Sequence, residues 1–294
     1  MMKKRIPLLL ALLVLTSCGG ETAPTEKEVL PDGLSAVSKA ISLPETKPIL
    51  EGISAPAEVT EGCPPVADYD LAGVPRDPQS GEDLYVSGNQ PVLLAETPEG
   101  DAALYALPGR ENADEETNVL LQWGDSLAEF DWPFGTPRGI PPWMVCADLD
   151  NDGEDELIVD CYWGSGTGVS VEALHVVEKT PGGALTAYTL PESLWRERLP
   201  ALFHTAELDG RTFAVLGREL VEFEADYVDL ETASAGSIAG FSPEGWSGLA
   251  FRGAFCLSPK DSPAPCCVAE TSAAVTYQDG VFTLQNFHLY SYEQ

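Results

Sequence analysis

The sequence predicts a mainly β domain built from antiparallel hairpins, and three features carry that expectation. Asp-Gly stands between β-rich arms twice, at Asp279-Gly280 and at Asp209-Gly210. Both residues of this dipeptide tolerate the positive φ that a tight hairpin turn demands. Glycine-bearing breaks at 97–100 and 180–183 separate further arms at 91–95 and 102–106, and at 169–177 and 185–190. With an acidic turn at 148–156, about five hairpins result. Helix is scarce: residues 191–199, which begin at Pro191 and stop at Pro200, are one candidate, and a short turn near 35–41 is another.

The N-terminus reads as an export signal. Lys3, Lys4 and Arg5 precede an apolar run over 6–15 that is interrupted by Pro7. The run is too short to span a bilayer as a helix, which takes about 20 apolar residues, but suits a secretory signal over residues 1–17. It ends in Leu15-Thr16-Ser17-Cys18, which resembles the lipobox of bacterial lipoproteins. That resemblance implies diacylglycerol on Cys18 and a chain anchored to the outer face of the cytoplasmic membrane, or to an outer membrane in a Gram-negative cell. Gly19 lacks the aspartate that retains such lipoproteins at an inner membrane.

Residues 18–62 read as a disordered tether, rich in Pro, Glu, Thr and Ser and without sustained hydrophobic period. A coil of that length places the next domain roughly 35–40 Å from its anchor. The β-rich domain is expected over 63–294, with its first twenty residues, which hold four prolines, left unassigned.

Acidic residues number 47 against 16 Lys and Arg, for a net charge of −31. Signal cleavage would remove three positive charges and no acid. Such a balance argues against nucleic acid, whose phosphates need basic partners, and equally against any broad electrostatic contact with anionic lipid or anionic glycan. It favours divalent cations. Of seven cysteines, six remain once Cys18 is lipidated, enough for three disulfides. Cys256 with Cys266 or Cys267 is the most plausible pair, closing a short loop that holds Pro263 and Pro265. Cys146 and Cys161 flank the acidic turn without facing each other, since a symmetric hairpin sets Cys146 against Ile158. With three histidines and no Cys-x-x-Cys, neither a zinc cluster nor a thioredoxin-like site is expected.

Residues 148–156 are the one segment whose spacing dictates a chemistry. Asp148, Asp150 and Asp152 occupy alternate positions, Gly153 permits a sharp turn, and Glu156 follows at position nine. Alternate side chains converge, and a hard cation takes carboxylate oxygens. Seven of the thirteen residues from 148 to 160 are acidic, so without a cation the cluster repels itself. The expected ion is calcium.

This loop, with Leu157-Ile158-Val159 entering a strand behind it, resembles the FG-GAP/VCBS repeat of integrin-α-like β-propellers. The resemblance implies side-chain ligation by Asp148, Asp150, Asp152 and Glu156, with the Glu154 carbonyl as a further ligand. Glu156 departs from the aspartate usual at that position. An EF-hand fits less well, because Val159 stands where its terminal Glu belongs and β-branched residues follow. One copy of the motif is visible, so the expected fold is a partial or degenerate β-propeller, or alternatively a β-sandwich with one calcium loop. Residues 132–142, the loop and 164–169 also resemble uncharacterised repeat-bearing lipoproteins of anaerobic Gram-positive bacteria, a likeness that brings no activity.

No catalytic constellation stands out. The run Gly164-Ser165-Gly166-Thr167-Gly168 matches neither phosphate-loop spacing, and Trp163 occupies the first glycine position of a nucleophile elbow. It reads as a surface loop near the calcium site, with Trp163, Ser165 and Thr167 as a candidate ligand surface. His175, His204 and His288 read as ordinary strand histidines. The expectation is a lipid-anchored extracytoplasmic binding protein, not an enzyme, whose calcium-stabilised domain meets an unknown extracellular protein or glycan. A secreted hydrolase of glycan or ester substrates is the alternative.

Overall fold

The computed structural model describes residues 52–78, 90–107, 117–136, 139–166, 168–244, 248–260 and 265–292, all within one compact unit. The signal segment, Cys18, the tether up to residue 51, Thr167 and Trp246 lie outside the described residues.

The fold is mainly β and overwhelmingly antiparallel. A four-stranded meander comprises β3 (Val92–Glu96), β4 (Ala102–Ala106), β5 (Thr117–Trp123) and β6 (Ser126–Pro133). A second group is β7 (Trp143–Ala147), β8 (Glu156–Gly166), β9 (Val169–Lys179) and β10 (Leu185–Thr189). A three-stranded sheet follows, of β11 (Phe203–Leu208), β12 (Arg211–Leu216) and β13 (Glu219–Phe223). Four long strands close the chain: β14 (Val228–Glu244), β15 (Gly248–Pro259), β16 (Cys266–Gln278) and β17 (Val281–Ser291). They join the β7–β10 group in one ten-stranded sheet through a short parallel contact of Ile238 and Ala239 with Ser170 and Val171. Both Asp-Gly turns adopt positive φ at both residues, 50° and 75° at Asp209-Gly210 and 49° and 73° at Asp279-Gly280.

The tether boundary requires correction. Ile53–Pro56 (β1) pairs with β17, and Glu58–Glu61 (β2) pairs with β10, so residues 53–61 belong to the sheet. These two strands are the two ends of the strand path, separated by Ala57 alone, whose N–H donates to the Gly280 carbonyl at 2.8 Å. Composition misled here because an edge strand buries only alternate residues: Ile53 and Ala55 are inside, and all of β2 is exposed. The unassigned stretch after Cys63 covers the outer face of the meander, where Tyr69, Leu71 and Val74 pack on Leu93, Tyr105 and Leu120.

The meander's other face stacks on the β7–β10 group as in a sandwich, with Leu94, Leu121 and Phe130 against Leu157, Val159 and Cys161. Ile158, Leu174 and Val176 point the opposite way, into a second core with Phe251, Phe255 and Phe282. Strand β8 is thus buried on both faces, which explains why Leu157-Ile158-Val159 does not alternate with polar residues. The helical expectation over 191–199 reduces to one π-type turn, Leu194–Arg198, and a 3-10 turn, Pro200–Leu202, because Pro200 denies continuation. Leu194 and Trp195 are buried and plug the second core.

Candidate metal centre

The acidic loop joins β7 to β8, whose register closes with Ala147 opposite Glu156. Cys146 therefore faces Leu157 rather than Ile158, one residue off the symmetric hairpin. The loop turns on Asn151 at φ 62° and Gly153 at φ 93°, the left-handed conformations that Asn and Gly adopt at least cost. Its acids first organise its own backbone. Asp150 accepts from Asp152 N at 3.1 Å, Asp148 from Gly153 N at 3.2 Å, and Asp152 from Glu154 N at 2.8 Å. Glu156 reaches back to Leu149 N at 2.7 Å.

Asp148, Asp150 and Glu156 converge, with one oxygen of each lying within 4.8 Å of the others. Asp152 and Glu154 stay outside that trio and are exposed. Glu156 is 4% exposed at the root of the loop. Burial, reinforced by the charges of Asp150, Asp152 and Asp148, pushes its carboxyl up to about 7 although the Leu149 N–H favours the ionised form. Desolvation and the carboxylates of Asp152, Asp148 and Asp279 raise Asp150 in the same direction against the Asp152 N–H. Asp148 Oδ1 is buried with no hydrogen-bond partner among the described residues. An orphaned carboxylate oxygen costs free energy unless something positive meets it. The donors are all oxygen, which suits a hard cation such as calcium, so the residues fit the expected ion.

Beside the trio lies an open cavity of about 590 Å³. The loop supplies one wall; Glu178 and Lys179 of β9, Tyr188 of β10, Trp123 of β5 and Asp279 at the β16–β17 tip supply the rest. Tyr277 OH donates to Glu178 at 2.6 Å, and Lys179 Nζ sits 4.7 Å from the centre of the Trp123 ring. None of these residues was singled out as part of the site from sequence. Asp279-Gly280 announces a turn, but nothing local says that the turn arches over a loop 130 residues earlier. Opposite the loop, β8 and β9 bury a carboxyl pair. Asp160 takes a hydrogen bond from Trp143 and shares another with Glu172, which also accepts Phe241 N at 2.8 Å. Burial first, then the Glu172 charge, holds Asp160 protonated well above its usual range. An acid inside the apolar run 157–162 was its only sequence signal.

The candidate ligand surface at Trp163 and Ser165 does not adjoin the acidic loop. Trp163 follows Glu156 by seven residues on one extended strand, about 23 Å away at ~3.3 Å per residue. It stands 58% exposed at a bulge between Tyr162 and Gly164, at the far end of β8. Trp123, Trp132 and Trp195 are core residues. His175 is buried, stacked on Trp132 at 4.1 Å and bonded through Nδ1 to Thr189 at 2.8 Å, and burial lowers it to about 3. It is a neutral packing residue. His288 pairs with Glu219 at 3.1 Å. Cys256 is disulfide-bonded to Cys267, neighbours across β15 and β16, whereas Cys266 is free. Burial and the adjacent Asp101 push the Cys146 thiol up to about 12, so it is unreactive.

No family model, curated protein or solved structure matches this chain.

Proposed function

We propose that this chain is a lipid-anchored, extracytoplasmic binding protein, not an enzyme, whose β domain is held by calcium at residues 148–156. The observation that carries the calcium reading is the buried Asp148 Oδ1, which has no hydrogen-bond partner among the described residues, beside the converging carboxylates of Asp150 and Glu156. Calcium would supply that charge, with Asp152 and the Glu154 carbonyl as the further ligands the loop pattern implies. Its role in this reading is structural: it relieves repulsion among the loop acids and fixes the β7–β8 connection. The anchor rests on the Leu15–Cys18 lipobox.

The test is the melting temperature of the protein in excess EDTA, in millimolar calcium and in millimolar magnesium. A rise with calcium that magnesium does not reproduce supports the site, and identical melts in all three remove it. Globomycin-sensitive processing and incorporation of labelled palmitate, both abolished by Cys18→Ala, test the anchor.

A second reading, a secreted hydrolase, is favoured by one observation. Glu156, at about 7, shares the cavity with Glu178 and Asp150, as a general acid beside carboxylates would. Screening against cell-wall glycans and simple esters decides it, since turnover that Glu156→Gln abolishes would displace the binding reading.

A further inference from the structure

A second depression lies on the outward face of β15, β16 and β17, away from the acidic loop, with a volume of about 560 Å³. Register sets its layout. Arg252, Ser272 and His288 stand in one row across the three strands, and Ala254, Glu270 and Tyr290 in the next. On the other side the row carries Ala250 and Ala274. Small side chains therefore make the floor, and the long ones rise around it.

The rim is arranged for recognition. Tyr290 is 50% exposed, and its hydroxyl accepts from Ser272 Oγ at 3.4 Å, which tips the ring toward β16. His288, 6.4 Å from the Tyr290 ring centre, is tied from behind through Nδ1 to Glu219. The strand pairing breaks between Ser272 and Ala274, where Asn286 adopts φ 56° in a bulge. Bulges re-aim side chains and deepen curvature, and this one places the Asn286 amide at the edge of the depression. Arg252 is exposed and, among the described residues, makes no hydrogen bond or ion pair, in a chain with 47 acids.

We propose that this depression binds a saccharide bearing a carboxylate, a uronic acid unit. The exposed tyrosine face stacks on the ring's C–H surface, as aromatic faces do with flat, half-apolar ligands. The free guanidinium forks onto the carboxylate, the geometry for which arginine is suited. Ser272, Asn286 and Glu270 supply donors and an acceptor for the hydroxyls. One Arg–carboxylate contact is compatible with the negative net charge, because surface charges beyond about 8–10 Å are screened in physiological salt. This inference gives the binding reading a surface and a ligand class, and it requires no calcium.

The experiment is calorimetric titration of the full chain with a galacturonic acid trimer, a galactose trimer and acetate. The expected result is uronate binding that Arg252→Gln and Tyr290→Ala each weaken tenfold or more at unchanged melting temperature. Galactose trimer and acetate should bind at least tenfold more weakly. Asp150→Asn in EDTA should retain full uronate affinity, so failure of the calcium site and failure of this surface are distinguishable. Absence of uronate binding at millimolar ligand, equal affinity for the neutral trimer, or wild-type binding by both rim variants would overturn the proposal.

Discussion

Glu156→Gln should stabilise the calcium-free protein and abolish its response to calcium, two opposite effects from one substitution. Glu156 titrates at about 7 in the fold against an ordinary 4.5. A carboxyl raised in this way contributes stability that is complete below 4.5 and lost as pH rises through about 7. At pH 8 that loss is at most about 3 kcal/mol at ~1.36 kcal/mol per pH unit, and about 2 kcal/mol once solvent reaching the loop is allowed for. Glutamine keeps an oxygen for Leu149 N and carries no charge, so in EDTA at pH 8 the variant should melt roughly 4–8 °C higher, at ~2–4 °C per kcal/mol. The advantage should shrink as pH falls through 4.5 and vanish about a unit below it, where Glu156 is protonated in both states. In calcium the sign reverses. A site with Kd on the order of 10⁻⁴ M in about 5 mM calcium adds about 2 kcal/mol to the wild type. The variant, lacking a ligand, should gain almost none of it. Differential scanning calorimetry with and without calcium at pH 5 and 8 reads all four states. A variant that melts below wild type in EDTA at pH 8, or that keeps the full calcium shift, refutes the reasoning.

Three further outcomes are expected. Replacing Cys256 and Cys267 together by alanine reopens an eleven-residue separation and should cost about 3 kcal/mol in urea unfolding, whereas Cys266→Ala should be near neutral. Ile53→Ala, in the edge strand β1 on Leu284, should cost roughly 2 kcal/mol and speed proteolysis within residues 52–62, although that stretch reads as tether by composition. Trp163→Ala should change stability by less than about 0.5 kcal/mol, because its ring is exposed at a bulge. A cost of 2 kcal/mol there would reveal packing that the structure does not contain.

Local chemistry made the hairpins legible. Asp209-Gly210, Asp279-Gly280, the turns at 97–100 and 180–183, and the 148–156 loop are each specified by a few adjacent residues whose φ preferences allow little else. The carboxylates of the loop were legible for the same reason, since Asp148, Asp150 and Glu156 converge through the geometry of their own segment. What tertiary structure decided was every relation between segments. Composition could not place residues 53–61 in a sheet, because an edge strand needs only two buried side chains and a partner to pair with. It could not tell that Trp163 lies a strand's length from the acidic loop, because a period of two says which face a residue takes and not what stands at the strand's other end. The arching of Asp279 over the loop and the row of Arg252, Ser272 and His288 likewise follow from cross-strand register. Register is set by burial over whole strands and their turns, and no single stretch of sequence carries it.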